Sequence, residues 1–88
     1  MQDDAKETPS MPIDHDDTYI IATITTEYIE LDKLLKRENI ATSGGEARYL
    51  VSQGLVQVNG ILEMRKRRKL YPGDVARFND IEVRVARE

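Results

Sequence analysis

The sequence has no cysteine, no tryptophan and a single histidine among its 88 residues. Without cysteine, the chain can form neither a disulfide framework nor a thiolate zinc site, which is compatible with a reducing cytosol. No apolar run reaches the length of about 18 residues that a membrane-spanning helix requires. The first residues also lack the basic region and the following apolar stretch of a secretory signal. We therefore expect a cytoplasmic protein that does not associate with a membrane.

The side chains that most enzymes use for catalysis are scarce as well. The one histidine, His15, lies among three aspartates, and a lone imidazole in a flexible acidic segment is usually solvated rather than bound to a metal. The pair Gly44-Gly45 lacks the flanking pattern of a phosphate-binding P-loop. A chain this small also seldom builds a pocket of the size that enzymes use. We predict no catalytic residue, no metal, no cofactor and no small-molecule substrate.

The charge is unevenly distributed along the chain. Residues 1–17 carry six acids and one lysine, and they contain too few apolar residues to offset the entropy lost on ordering them. Between Lys33 and Arg77, by contrast, ten basic residues accompany four acidic ones, although the whole chain has a net charge of −3. We predict a disordered acidic tail at 1–17 and a single domain at 18–88, because this length allows only one domain.

The middle of the chain contains the clearest local signals. Ser43 followed by Glu46 is a capping box, in which the serine oxygen accepts from the amide of residue 46 and the glutamate reaches the amide of Ser43. Gly54 then suits the positive φ at which helices often end. Asn59-Gly60 is the strongest short signal for a type I′ hairpin turn, because both central residues need positive φ. These signals predict a cap, a short helix, a glycine stop, a strand and a tight turn.

Further strands and one more helix are predicted on either side. The β-branched stretch 18–26 favours a strand, which we expect to pair with a C-terminal strand whose last residues fray. A first helix is expected from about Glu30 to Asn39, because leucines recur there at the i, i+3, i+4 spacing of one helix face. Pro72-Gly73 fits the central positions of a type II turn. The period-two pattern that follows it predicts the remaining strands.

Residues of both predicted helices and of the hairpin resemble the S4 RNA-binding domain family. Those that carry the resemblance are Leu31-Asp32, Leu35, Ser43, Ala47, Leu50, Gly54, Val56, Val58, Asn59-Gly60 and Gly73-Asp74. The resemblance covers residues 28–78 and implies an α+β fold, the αL motif, in which two short packed helices lie against a small, bent antiparallel sheet. Here the fold would carry an extra N-terminal strand. Glu30 and Gly44 depart from the family's pattern, which often has arginine at both positions, and each departure removes an expected phosphate contact.

A run of five consecutive basic residues is the strongest functional signal: Arg65, Lys66, Arg67, Arg68 and Lys69, hereafter the basic run. No matching acids flank it, and such a density of like charge is explained if the run meets a polyanion. We therefore predict that the basic run binds nucleic-acid phosphates. The basic run together with the glycine pair resembles the small stand-alone bacterial members of the family.

The first helix offers further candidates. Lys36 and Arg37 are expected in its last turn, where the helix dipole alone explains a positive charge, although Arg37 is retained as a candidate RNA contact. Lys33 lies off the apolar stripe and away from the C-terminus, so the dipole does not account for it, and we predict an RNA contact there. Tyr28 and Tyr71 are assigned to the core.

The second helix contributes four more candidates. Gly44 and Gly45 open it with bare backbone, which either lets a phosphate approach closely or simply lets the chain turn into the helix. Arg48 can reach a phosphate. Tyr49 can stack on a base or lie along a ribose, or it can pack against the domain.

The resemblance implies that a monomer of this domain binds structured RNA, commonly ribosomal RNA. Because the candidates are phosphate binders, recognition would rest on shape and backbone contacts rather than on base edges. Two other classes stay open: a module whose basic run meets an acidic protein, and a non-catalytic accessory subunit of an RNA-modifying enzyme. The charges alone do not distinguish RNA from DNA.

Overall fold

The computed structural model describes residues 19–88 of the chain. In chain order, the elements are β1 (Tyr19–Ile24), β2 (Ile29–Glu30), α1 (Leu31–Arg37), α2 (Gly44–Ser52), β3 (Val56–Val58), β4 (Ile61–Leu62), β5 (Lys69–Leu70), β6 (Val75–Phe78) and β7 (Ile81–Arg87). The predicted acidic tail at 1–17 lies outside the described residues, together with His15. The longer described helix has nine residues, and no helix within residues 19–88 is long and apolar enough to cross a membrane.

Five strands form one mixed sheet in the order β1-β7-β6-β3-β4, and β2 pairs with β5 in a separate two-stranded ribbon. Strands β3, β4, β6 and β7 are antiparallel to one another where they pair, as the resemblance implies. The extra strand β1 pairs with the C-terminal strand β7, as predicted, and the two run parallel, with Tyr19 opposite Glu82. Parallel pairing requires a long crossover, and the rest of the domain provides it. The α+β fold class is confirmed.

The helices and the sheet share one hydrophobic core. Leu31, Leu34 and Leu35 of α1 are at most 1% exposed, which confirms the predicted leucine stripe. In β1, Ala22 and Ile24 point into the core while their neighbours are exposed, as the alternation of side chains along a strand requires. Burial of one leucine side chain contributes about 1.5–3 kcal/mol. Packing of this face therefore holds α1 in place, because an isolated helix of seven residues is not stable.

The N-terminus of α2 is capped much as predicted. The Ser43 hydroxyl oxygen accepts from the amide of Glu46 at 3.0 Å. The Glu46 carboxylate reaches one residue further back than predicted, because it accepts from the amide and the hydroxyl of Thr42 at 2.6 and 2.9 Å. The hydrogen bonds from the Thr42 amide and hydroxyl lower the pKa of Glu46. Reciprocal bonds on both sides of the cap thus determine where α2 begins.

Positive φ angles occur where the turn signals predict them. Gly54, just after α2, has φ 74°, and the chain leaves the helix there. Asn59 and Gly60 have φ 53° and 81°, which confirms a turn of type I′ between β3 and β4. Gly73 has φ 100° at the third position of the predicted turn around Pro72. These residues set the register of the strands that bring the basic run towards the helices.

Two expectations are wrong: that Tyr71 belongs to the core and that the C-terminal residues fray. Tyr71 is 42% exposed and not part of the core, because it opens a turn in which the amide of Asp74 donates to its carbonyl at 2.8 Å. Tyr28 is half-buried. The C-terminal residues do not fray, since β7 continues to the penultimate residue and the amide of Glu88 donates to the carbonyl of Ile24 at 3.0 Å. The parallel strand β1 supplies this anchor.

Replacement of Ser43 by alanine tests the cap of α2. The variant leaves the amide of Glu46 without its acceptor, so we expect the free energy of unfolding to fall by about 1 kcal/mol in urea denaturation. The control is Ser52→Ala at the other end of the same helix, where the hydroxyl only donates to the carbonyl of Tyr49. This control should change stability by less than about 0.5 kcal/mol. Equal losses in the two variants would contradict a specific role of the cap.

Candidate functional site

The backbone of the basic run caps the N-terminus of α1. The amide of Leu31 donates to the carbonyl of Arg68 at 2.8 Å, and the amide of Asp32 donates to the carbonyl of Lys66 at 3.1 Å. Amides in the first turn of a helix have no partner within the helix, and Glu30 at the N-cap makes no side-chain cap. The basic run is therefore fastened to α1 and is not a freely moving loop.

A buried carboxylate holds two arginines of the basic run. Glu63, 5% exposed, accepts from Arg65 Nε and Nη2 at 2.9 and 3.0 Å and from Arg68 Nη1 at 2.7 Å. The hydrogen bond from Arg65 lowers the pKa of Glu63 to about 2, against the effect of burial, and the bond from Arg68 adds to the lowering. The expectation that no matching acid flanks the run is thus wrong. Arg65 and Arg68 have a structural role, because an unpaired buried carboxylate is strongly destabilising.

The other three residues of the basic run have different surroundings. Lys69 belongs to β5, and its ammonium lies 4.8 Å from the centre of the Tyr28 ring, so it is a strand residue with a cation–π contact. The Arg67 side chain is 71% exposed and lies 4.0 Å from the carboxylate of Asp32. Lys66 is exposed, and its ammonium has no ion pair within residues 19–88. Lys66 and Arg67 are therefore the members of the run with the weakest ionic contacts within residues 19–88, although the Arg65 side chain is equally exposed at 72%.

A second buried carboxylate joins three segments of the chain. Asp32 of α1 is 4% exposed, and its Oδ2 lies 3.4 Å from Arg48 Nη1 of α2 and 4.0 Å from Arg67 Nε. Its Oδ1 accepts from the amide of Lys33 at 2.8 Å. Asp32 thus orients two guanidinium groups from separate elements towards the same space. In the sequence, Asp32 is one of the residues that carry the resemblance, and nothing in its local pattern predicts this role.

These contacts outline an open groove of about 400 Å³ between α1, the start of α2 and the basic run. Its walls consist of four cationic side chains, two carboxylates and one glycine: Lys33, Lys36, Arg48, Arg67, Glu30, Asp32 and Gly44. The cations outnumber the acids by two, and they come from three segments that are distant in sequence. Converging cations with forked donors suit a phosphate-bearing ligand.

Gly44 has a specific reason to be glycine. An added Cβ would lie 3.2 Å from Arg48 Nη1, so the missing side chain lets the guanidinium of Arg48 lie against the first turn of α2. Neither Gly44 nor Gly45 has positive φ, so a special turn into the helix does not require them. Gly45 does not line the groove, and its Cβ would meet only the Ser43 hydroxyl, at 3.8 Å.

Two further candidates lie outside the groove walls. Arg37 donates to the carbonyl of Thr23 and pairs with Glu38 at 3.2 Å, so it fastens α1 to β1. Tyr49 is 59% exposed and does not pack into the core, which leaves its ring open to a ligand at the side of α2. Lys36, whose charge the helix dipole alone can explain, does line the groove. Its spacing of three residues from Lys33 is the signal that places both on one helix face.

Comparisons with known proteins agree with this architecture. A family model described as S4 domain matches residues 22–86. The "Putative RNA-binding protein YbcJ" of Escherichia coli (strain K12) is 38% identical over 58 residues, which are 66% of this chain and 83% of that protein. The "Probable ribosome maturation protein RlbA" of Bacillus subtilis (strain 168) is 43% identical over 53 residues, which are 60% of this chain and 75% of that protein.

A solved structure also matches. The solution structure of YbcJ from Escherichia coli has a TM-score of 0.58 and 26% sequence identity, and the match covers 94% of this chain and 99% of that chain. That structure is described as revealing an αL motif involved in RNA-binding.

The pairing of Glu63 with Arg65 and Arg68, hereafter the Glu63 cluster, predicts a pH dependence of stability. Because the pKa of Glu63 is lowered in the folded state from 4.5 to about 2, the unfolded chain takes up the proton first. The stabilisation is fully present above pH 4.5 and is lost as the pH falls towards 2. Over this range we expect the free energy of unfolding of wild type to fall by about 1–2 kcal/mol more than that of Glu63→Gln. Urea denaturation at several pH values measures this difference.

A matched control is Glu82→Gln. Glu82 also lies between two arginines, Arg77 and Arg84, but its side chain is 25% exposed. This variant keeps the Glu63 cluster intact, so it should show nearly the same loss as wild type between pH 4.5 and 2. An unchanged pH dependence in the Glu63→Gln variant would contradict the role assigned to the buried carboxylate.

Proposed function

Because the chain belongs to the S4 domain family, we propose that it binds structured RNA through the groove between α1, α2 and the basic run. The observation that carries the proposal is the convergence of Lys33, Lys36, Arg48 and Arg67 on one open space. The names of YbcJ and RlbA, an RNA-binding and a ribosome maturation protein, support the same ligand class.

The contacts in this proposal are made with the RNA backbone. Guanidinium and ammonium groups bind phosphate oxygens without regard to sequence, and the positions of the groups then select the shape of the backbone. Arg48 is paired with Asp32 at 3.4 Å before any ligand arrives, so less of its side-chain entropy is lost when it engages phosphate. Arg67, 4.0 Å from Asp32 and 71% exposed, is held only loosely. Lys66 and Tyr49 extend the surface on either side of the groove.

We further propose that the RNA is ribosomal and that the protein meets it in the cytoplasm as a monomer. The name of RlbA supports the ribosomal ligand. A single chain supplies every residue of the groove, so a second copy is not needed to complete it. The candidates Arg37, Gly45 and Lys69 are not among the contacts proposed for the groove, since they lie outside its walls.

Removal of two groove cations tests this function. The double variant Lys36→Gln, Arg67→Gln should bind a structured RNA more weakly, and the slope of log K against log salt should become shallower by roughly one for each lost phosphate contact. The control Arg77→Gln, Arg84→Gln removes the same charge from the sheet, where both arginines pair with Glu82. Binding can be measured by fluorescence anisotropy from low to physiological salt.

The control should retain both the affinity and the salt slope of wild type more closely than the groove variant does. Equal weakening by the two double variants would mean that only net charge matters and would overturn the assignment of the groove. Competition by an acidic polypeptide as strong as competition by RNA would instead favour an acidic protein partner.

Gly44→Asp adds an acid to the wall of the groove beside Arg48. We expect RNA affinity to fall by about tenfold, from repulsion of phosphate and diversion of Arg48, while stability changes little because an acid suits the first turn of a helix. The matched control is Gly45→Asp, which adds the same charge one residue later but outside the groove walls. Affinity and thermal unfolding of the two variants should be compared directly. A larger loss of affinity in Gly45→Asp would contradict the geometry.

A further inference from the structure

A second cavity of about 230 Å³ adjoins the groove. Glu30 and Lys33 line both spaces, and Thr26, Tyr28 and Ile29 complete the walls of the second one, hereafter the side cavity. The groove and the side cavity are therefore neighbours, with a carboxylate and an ammonium in the walls of both.

Binding of phosphate alone does not explain why an acid, Glu30, stands in the wall of the cationic groove. It stands at the N-cap of α1 but its side chain makes no capping hydrogen bond. Its carboxylate, 25% exposed, has only one polar partner within residues 19–88, the Lys33 ammonium, with which it forms an ion pair of 3.6 Å. Asp32, the other acid of the groove, is already paired with two arginines. Glu30 thus presents carboxylate lone pairs to a ligand, and a carboxylate is an acceptor for hydroxyl or amino donors but repels phosphate.

The side cavity offers an aromatic wall. The Tyr28 ring is half-buried, with the Lys69 ammonium 4.8 Å from its centre and the Tyr71 ring 5.7 Å away at an angle of 51°. Both neighbours restrict the movement of the ring. An ordered aromatic side chain at the edge of a cationic groove is a common platform for an unpaired nucleobase.

We infer that the groove and the side cavity together bind one unpaired ribonucleotide of the RNA. Its phosphate lies among Lys36, Arg48 and Arg67, its ribose 2′-hydroxyl donates to Glu30, and its base lies in the side cavity against Tyr28. This inference rests on the proposed function and adds to it a ligand group that DNA lacks.

The order of the three contacts follows the covalent order of a nucleotide. The ribose connects phosphate and base, and Glu30 lies between the cationic groove and the aromatic cavity. The 2′-hydroxyl is the group that lets a protein distinguish RNA from DNA at a given site. A carboxylate at this boundary therefore gives selectivity for ribose, while the cations supply most of the affinity.

The test uses a short RNA hairpin with a single unpaired adenosine in its stem. The same hairpin is made with a 2′-deoxyadenosine at that position, with an abasic ribose there, and without the unpaired nucleotide. For wild type we expect the 2′-deoxy substitution to weaken binding about three- to tenfold, the loss that one hydrogen bond of ordinary net strength predicts. The abasic and the fully paired hairpins should also bind several-fold more weakly than the parent hairpin.

Two protein variants identify the acceptor. In Glu30→Ala, the parent and the 2′-deoxy hairpin should bind equally, and both should gain affinity from the removed negative charge. The control Glu27→Ala removes an exposed acid three residues earlier, outside both cavities, and should retain the wild-type ratio between the two hairpins. Comparison of ratios rather than absolute affinities cancels the general effect of charge.

The inference is overturned if wild type binds the parent and 2′-deoxy hairpins equally, or if the ratio persists in Glu30→Ala. It is also overturned if the abasic hairpin binds as tightly as the parent. The proposed function still holds after any of these outcomes if the fully paired hairpin binds with a steep salt dependence. The double variant Lys36→Gln, Arg67→Gln must also reduce that dependence. Absence of salt-dependent binding to any of the hairpins would overturn both.

Discussion

Two carboxylates are buried in the described part of the chain, and each lies between two arginines. Asp32 pairs with Arg48 and Arg67, and Glu63 pairs with two arginines of the basic run. A buried carboxylate without a partner is destabilising by several kcal/mol, so these pairs constrain where the arginines can go. The position of the basic run against α1, and with it the shape of the groove, depends on these two acids.

This arrangement explains how five consecutive positive charges are accommodated in a small folded domain. Two of them neutralise Glu63, one contacts Tyr28, and the backbone between them caps α1. The repulsion expected within the run is thereby reduced by local partners. Arg67 is held only loosely by Asp32 and retains a side chain that is 71% exposed, so it can engage a ligand while its direction is already set. Arginines that pair with a buried carboxylate and an arginine that is held only loosely are thus adjacent in sequence.

Local signals determined much of the fold. The capping serine, the glycine that ends α2 and the Asn-Gly turn act through residues a few positions apart, and the structure has each of them where it was predicted. The leucine stripe of α1 is likewise buried as its spacing indicates. The predictions that failed concern burial and pairing of side chains and the end of the last strand, and only the contact between Ile24 and Glu88 joins distant segments. Tyr71 was assigned to the core from its type alone, although its place in a turn exposes it, and Glu63 was not considered as a partner of the basic run.

The sequence by itself determined the two helices, the hairpin, the basic character of the domain and most of the candidate cations, because periodicity, caps and turns depend on short-range geometry. Only the tertiary structure decided which cations share a groove. Arg48 and Arg67 are nineteen residues apart and meet at Asp32, whereas Arg37, next to a groove residue in sequence, faces β1 instead. Helix phase directs Arg37 towards β1, whereas the buried carboxylate of Asp32 brings Arg48 and Arg67 together. Helix phase can be read from the spacing of the leucines, but the burial of Asp32 cannot be obtained until its arginine partners from distant segments are in place.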